Sequence, residues 1–216
     1  EVLSFMKGFN SLYEKYGLSF DQTYQDICLL LDLPEVRPET LHEKSKWAMA
    51  EIEGICGGRF VFYGGGKVTF KTENAEYSAN SMAEGFRKAG ILSRLLETGA
   101  IQPGVSGPLF WDEPESNLNP KLMKLLVQIL LELSRNGQQI ILATHDYVLL
   151  KWFDLLMDKG KDDHVRFHSL YRDADTSEIK VASTEDYLKI TPNPIDEAFG
   201  FLINQEIEND MGGLGK

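Results

Sequence analysis

The chain has 216 residues, of which 43% are hydrophobic and 25% are charged, a composition typical of a globular protein with a buried core. The net charge of −11 argues against a broad nucleic-acid-binding face, because binding phosphates relies on Lys and Arg. The sequence contains no long uncharged apolar run and no signal peptide, so we expect no membrane span. Cys28 and Cys56 are too few for a disulfide framework, and we expect free thiols in a cytoplasmic protein.

Residues 1–56 have the apolar spacing of helices. The pattern predicts three of them, over 1–16, 20–32 and about 39–55, with the last one stopped by Gly57. The sequence opens on Glu1 inside an amphipathic pattern without a helix-start signal. We therefore interpret residues 1–56 as a helical insertion or arm, and we expect an upstream part of the protein to precede them.

Residues 57–210 mix strands and helices, and residues 211–216 are predicted to be a flexible tail. Alternating and periodic patterns predict a β-hairpin, a helix, a strand, a Leu-rich helix that begins at Pro120, a second strand, and then a helix, a strand pair and a last helix. The predicted ranges are, in order, 59–71, 81–98, 109–111, 120–135, 139–144, 147–157, 164–182 and 195–209. Strand, helix and strand over 109–144 form a βαβ unit, which predicts parallel strands of buried type in an α/β fold.

Two carboxylates follow the first strand of this unit. Asp112 and Glu113 stand at its C-terminal end, where ligands bind in open parallel sheets. One carboxylate can hold Mg²⁺, which prefers oxygen ligands, while the other can orient and deprotonate a water. Acidic residues are common at strand ends, so this pair alone is weak evidence.

His145 follows the second strand. The carboxyl ends of neighbouring parallel strands meet at one edge of a sheet, so we expect His145 to lie beside Asp112 and Glu113. An imidazole there could hydrogen-bond a phosphate oxygen or an attacking water. A single His after a strand is usually an ordinary loop residue, and it gains weight here from its place after the Asp-Glu pair.

The segment Leu109-Phe110-Trp111-Asp112-Glu113-Pro114-Glu115-Ser116-Asn117-Leu118-Asn119-Pro120, followed by a Leu-rich helix and Ile140-Ile141-Leu142-Ala143-Thr144-His145-Asp146, resembles the ABC-type ATPases. It is most similar to the Walker B, D-loop and switch-histidine region of the soluble AAA-type, OLD-like and SMC-like P-loop ATPases. The resemblance implies ATP and Mg²⁺ as cofactors, Asp112 as the magnesium-associated carboxylate and Glu113 as the general base. It also implies that Ser116 and Asn117 belong to the D-loop and that His145 is the switch histidine.

The family carries a Leu-Ser-x-Gly signature segment at the start of a helix, where free N–H groups favour the phosphate of a nucleotide on a partner subunit. The best match here is Met82-Ala83-Glu84-Gly85. Ala83 stands where the family has serine, which removes one hydroxyl contact to phosphate. An ordinary start of a surface helix remains an alternative.

A P-loop requires Gly-x-x-x-x-Gly-Lys followed by Ser or Thr, and the sequence has no such segment. Gly66-Lys67 fails because Val61 stands where the first Gly is required and Val68 follows the Lys. The resemblance therefore implies the C-terminal part of an ATPase domain whose N-terminal remainder carries the P-loop.

Three functions remain open. The intact protein is expected to bind and hydrolyse ATP with Mg²⁺ as an ATP-dependent homodimer, with any nucleic-acid contact made by other parts of the protein. Alternatively, Ala83 and the missing P-loop favour a nucleotide-dependent regulatory or interaction module without turnover. In the third hypothesis, the acidic strand end is coincidental in an ordinary α/β domain.

Overall fold

The computed structural model describes residues 2–63 and 65–213. Contacts divide the chain into two compact units, Glu1–Leu142 and Ala143–Lys216. The predicted α/β class is confirmed, with helices and small sheets in the described residues.

The first unit contains five α-helices and the strands of two small sheets within its described residues. In chain order these are α1 (Val2–Tyr16), α2 (Gln22–Asp32), α3 (Glu43–Cys56), β1 (Arg59–Tyr63), β2 (Lys67–Lys71), β3 (Glu76–Ser78), α4 (Glu84–Glu97), β4 (Leu109–Asp112), α5 (Pro120–Arg135) and β5 (Ile140–Ala143), whose last residue falls beyond the unit boundary. The helices and the hairpin confirm the elements that the periodicity of the sequence predicts. The short strand β3 was not predicted, because it spans only 3 residues.

The N-terminal helices pack on the elements that follow them. Helix α1 packs on α2 and β2, helix α2 on α4, and helix α3 on α4 and α5. The contacts place residues 1–56 in the same compact unit as α4 and α5, and the domain boundary drawn at residue 56 remains a prediction.

Arg94 joins the end of α2 to α4 from a buried position. Its side chain is 6% exposed, and it donates hydrogen bonds to the backbone carbonyls of Leu31 at 3.0 Å and Leu33 at 2.9 Å. It also forms an ion pair with Glu97 at 2.6 Å, and its guanidinium lies 4.8 Å from the ring centroid of Phe62. Because the last carbonyls of a helix have no partner within it, Arg94 supplies donors that α2 needs at its end.

Strands β1, β2 and β3 form an antiparallel sheet in sequence order, and the register pairs Tyr63 with Lys67 across the turn. The Glu76 carboxylate accepts hydrogen bonds from Thr69 Oγ1 at 2.6 Å and Tyr63 Oη at 2.9 Å, which links all three strands. Lys67 begins β2, so the Gly66-Lys67 pair belongs to a hairpin turn, as the sequence predicted.

The βαβ unit that carries the site has the predicted order. Strands β4 and β5 are parallel neighbours, and the buried Gln138 donates to Gly107 O at 2.8 Å while it accepts from Ser106 Oγ at 2.7 Å. These bonds hold together the segments that lead into the two strands. In α5, Asn119 is the N-cap and accepts from Lys121 N at 3.0 Å, as predicted.

The expectation that both strands are buried is wrong. Phe110 in β4 is 70% exposed and Ile141 in β5 is 43% exposed. Side chains alternate across a strand, and Trp111 lies on the side that faces α4 and α5, where Leu122 and Leu126 line the same small cavity. The described residues therefore leave one apolar face of this sheet open.

The second unit contains α6 (Tyr147–Leu156), β6 (Phe167–Arg172), β7 (Ile179–Thr184) and α7 (Pro194–Gly213). Strands β6 and β7 form an antiparallel pair, as predicted. The rings of Phe167 and Tyr187 pack edge to face at 5.4 Å, and Tyr147 stacks on Phe199 at 4.3 Å. Helix α7 includes residues 211–213 of the predicted flexible tail, and residues 214–216 lie outside the described residues. In the described part of the chain, no helix is both long and apolar enough to cross a membrane.

Replacing Arg94 with Met tests the link between α2 and α4. We expect Arg94→Met to lower the free energy of unfolding by about 2–4 kcal/mol, because the carbonyls of Leu31 and Leu33 lose charged donors. The matched control is Arg37→Met at an exposed position, which we expect to change stability by less than about 0.5 kcal/mol. Chemical denaturation of both variants measures the difference, and equal stability would contradict the role assigned to Arg94.

Candidate functional site

The two carboxylates stand where the sequence placed them. Asp112 is the last residue of β4 and is exposed, and Glu113 follows it in a partly buried position. Glu113 adopts a φ of 45°, a left-handed conformation that non-glycine residues seldom adopt. Strained conformations of this kind cluster at functional sites, where the surrounding structure enforces them.

A tight turn connects β4 to α5. The Glu113 carbonyl accepts a hydrogen bond from Ser116 N at 3.1 Å, and the Glu115 carbonyl accepts from Leu118 N at 2.9 Å. Asn117 also has a positive φ, of 61°, a conformation that Asn tolerates better than most residues. We call residues 113–116 the Glu113 turn, and it fixes the direction in which the Glu113 side chain leaves the strand.

The predicted signature segment lies against this turn. A Cβ atom built on Gly85 would come within 2.7 Å of Asn117 O and 3.2 Å of Leu118 Cα, so only glycine allows the backbones this close. Met82 and Ala83 lead into α4, and Ala83 is its N-cap without a side-chain hydrogen bond. The sequence did not predict how closely Gly85 approaches Asn117.

Lys88 connects α4 to the Glu113 turn, and the sequence analysis missed it. Its ammonium donates to Glu113 O at 2.9 Å and to Ser116 Oγ. Burial lowers the pKa of Lys88, and nearby carboxylates oppose that effect. They are, from largest to smallest, Glu115, Glu84, Glu113 and Asp112. One turn of helix separates Glu84 from Lys88, which was the available signal that Lys88 faces the same way as the start of α4.

A cavity of about 640 Å³ opens beside these residues. Its size is within the range of ligand pockets. Glu84, Lys88, Ser116 and Asn117 line it together with Trp111, and the N-terminal helices add apolar side chains. Those side chains are Val2, Tyr24 and Ile27.

His145 lies in the second unit and is exposed. Next to it, Asp146 is the N-cap of α6 and accepts from Leu149 N at 2.6 Å, while Thr144 Oγ1 accepts from Asp146 N at 3.0 Å. These bonds define the strand-to-helix turn that carries His145. The expectation that His145 lies beside Glu113 stays a prediction.

The residues present are compatible with a magnesium ion held mainly by a nucleotide. Among the described residues, no group of three or more His, Cys, Asp or Glu side chains could enclose a metal. Magnesium in nucleotide sites is usually held by one or two carboxylates together with phosphates and water. The exposed carboxylate of Asp112 can supply such a ligand, and its role as a magnesium ligand stays a prediction.

Residues 69–151 match a protein family described as "AAA domain, putative AbiEii toxin, Type IV TA system". This stretch includes the predicted signature segment, the Glu113 turn and His145. The resemblance to the C-terminal region of a P-loop ATPase is confirmed.

Solved structures share the fold at low sequence identity. An SMC head bound to the C-terminal winged-helix domain of ScpA superposes with a TM-score of 0.50 and 13% identity over 85% of this chain and 53% of that chain. An SMC head domain from Thermotoga maritima gives a TM-score of 0.47 and 15% identity, covering 74% of this chain and 51% of that chain. A structure from work on ATP-driven dimerization and DNA-stimulated activation of SMC ATPases gives a TM-score of 0.47 and 14% identity, covering 76% of this chain and 92% of that chain.

The chain thus spans about half the length of two of these three structures. A search of curated proteins finds no match.

Gly85→Ala tests the close approach of α4 to the turn. We expect the added methyl group to push against Asn117 O and lower the free energy of unfolding by about 1–3 kcal/mol. The matched control is Gly54→Ala, because Gly54 is helical and a Cβ atom there meets nothing within 4 Å. That control should gain up to about 1 kcal/mol from helix propensity. Thermal unfolding of both variants measures this, and a stabilised Gly85→Ala would refute the close packing.

Ala83→Ser tests the departure from the family signature. A serine at this N-cap can accept a hydrogen bond from the first turn of α4, so we expect stability to rise by about 1 kcal/mol. The comparison variant is Ala50→Ser, at an exposed position inside α3, which should lose about 0.5 kcal/mol. Equal changes in the two unfolding free energies would show that Ala83 is not a capping position.

Proposed function

We propose that the intact protein binds ATP and hydrolyses it with Mg²⁺, and that Glu113 is the general base. The observation that carries the proposal is the Glu113 turn, which lies at the C-terminal end of a strand and against the start of α4. Acidic strand ends are common, but here the first turn of α4 packs so closely on the following loop that a Cβ atom added at Gly85 would come within 2.7 Å of Asn117 O. The fold of nucleotide-binding ATPases supports the same function.

The proposed chemistry divides the two carboxylates by exposure. Asp112 is exposed and would hold Mg²⁺, which neutralises the phosphate charge that develops during transfer. Glu113 is partly buried and would orient the attacking water and accept its proton. His145 would donate a hydrogen bond to the γ-phosphate or to that water.

The start of α4 would contact a nucleotide held by a second copy of the protein. Helix N-termini attract anions through free N–H groups and the helix dipole. Gly85 is buried against the adjoining turn, and Glu84, Ser116 and Asn117 line the cavity beside the start of α4. We therefore propose an ATP-dependent homodimer in which each copy completes the site of the other.

The N-terminal remainder of the ATPase domain would cover the open face of the β4–β5 sheet. Phe110 is 70% exposed on that face, and burying an aromatic side chain contributes about 1.5–3 kcal/mol. The P-loop, which this sequence lacks, would be on that remainder. A protein of this kind would act in the cytoplasm, and any contact with nucleic acid would come from its other parts.

A nucleotide-dependent regulatory module without turnover is the second candidate. It is favoured by Ala83, because the missing hydroxyl removes one contact to the phosphate. The same geometry would then bind a nucleotide and change the assembly state without cleaving it.

Replacing Glu113 with Gln separates the two candidates. In the full-length protein, Glu113→Gln should reduce ATP turnover by at least about a hundredfold, because the amide cannot accept the proton from water. ATP affinity should stay within about twofold, since Gln keeps the size of the side chain. The matched control is Glu73→Gln at an exposed position, which should leave turnover unchanged. Wild-type binding of ATP without turnover would support the regulatory module, and equal turnover in Glu113→Gln would reject the proposed base.

A further inference from the structure

We infer that Lys88 is a positioning residue that transmits the location of the α4 N-terminus to Glu113. This inference rests on the proposed function, and it assigns to Lys88 a task that no motif of the sequence indicates. Lys88 would hold the general base in a fixed position relative to the start of α4, where the phosphate of the partner copy's nucleotide would bind.

The contacts of Lys88 support this assignment. Its ammonium donates to Glu113 O at 2.9 Å and to Ser116 Oγ, so it contacts both ends of the Glu113 turn. The same carbonyl accepts from Ser116 N at 3.1 Å. Two donors therefore orient the peptide that follows Glu113, and Lys88 supplies the charged one, which is the stronger kind.

The position of Lys88 on α4 supplies the mechanical link. Glu84 is the first residue of the helix and Lys88 lies one turn further, about 6 Å along the axis at the usual rise per residue. A helix is rigid over this distance, so a shift of its first turn moves the base of the Lys88 side chain by the same amount. Gly85, which meets Asn117 at the same place, keeps the two backbones close enough for Lys88 to reach.

Electrostatics explains why a lysine suits this position. Four carboxylates act on its ammonium, and Glu115 is 6% exposed, so a positive charge is needed among them. Lys88 lines the cavity of about 640 Å³ beside Ser116 and Asn117, so it is reachable from the side on which the phosphate would arrive.

Steady-state kinetics of the full-length protein test the inference. We expect Lys88→Met to lower kcat by about a hundredfold, the scale seen when a catalytic group is misplaced by about 1 Å, while KM changes by less than about twofold. Lys88→Arg keeps the charge and should recover part of kcat. The matched control is Lys46→Met, an exposed lysine of α3, which should match the wild type.

Ser116→Ala provides a second variant that leaves the lysine charge in place. It should lower kcat by about three- to tenfold, because it removes one of the two acceptors of Lys88. The double variant Lys88→Met, Ser116→Ala should be no slower than Lys88→Met alone, since both changes remove the same interaction. Multiplicative losses would overturn the inference.

A purely structural role of Lys88 predicts a different result. If Lys88→Met prevented folding, the amount of ATP bound per chain would fall in proportion to activity, so bound nucleotide is measured together with kcat. We expect unchanged binding stoichiometry with reduced kcat. If Lys88→Met retains kcat within about threefold while Glu113→Gln is inactive, Lys88 is not a positioning residue and the proposed function still stands. If the wild type has no turnover, the proposed function and the inference fail together.

Discussion

The close approach of two backbones at Gly85 sets the geometry of the part of the candidate site that lies in the first unit. A Cβ atom added at Gly85, in the first turn of α4, would lie 2.7 Å from Asn117 O. The start of the helix and the turn after β4 therefore form one continuous surface. Everything that we assign to this surface depends on that contact. Because α4 lies this close, the Lys88 side chain reaches the Glu113 turn and donates its two hydrogen bonds there.

Helices near the start of the chain pack against α4 and so hold that surface in place. Helix α2 packs on α4 and its end is held by Arg94, while α3 packs on both α4 and α5. Residues 1–56 therefore do more than extend from the domain, because Tyr24 and Ile27 also line the cavity beside Lys88. Helices α2 and α3 hold α4 in place, and side chains of α1 and α2 line the cavity.

Much of this could be predicted from local patterns. The hairpin, the capped Leu-rich helix and the order strand–helix–strand follow from periodicity, Asn119 and Pro120, because these signals involve residues close in sequence. The positions of Asp112, Glu113 and His145 at the ends of strands followed from the same reasoning.

The contact between Gly85 and Asn117 could not be predicted, since it joins two segments that only the packing of α4 brings together. The role of Lys88 could not be predicted for the same reason, because its acceptors are a backbone carbonyl and a hydroxyl group far along the chain. The exposure of Phe110 was also missed, since an apolar run has the same pattern whether one face of its sheet is covered or both.

The central claim is that the start of α4 and the Glu113 turn meet one nucleotide site made by two copies of the protein. A crystal structure of full-length Glu113→Gln with ATP and Mg²⁺ tests it most directly, because the variant should bind nucleotide without cleaving it. The account predicts a dimer in which the free N–H groups at the start of α4 of one copy contact the γ-phosphate held by the other, while Asp112 of that other copy lies beside the magnesium ion. A nucleotide bound far from both α4 and Asp112, or a monomer with ATP fully bound, would contradict the account.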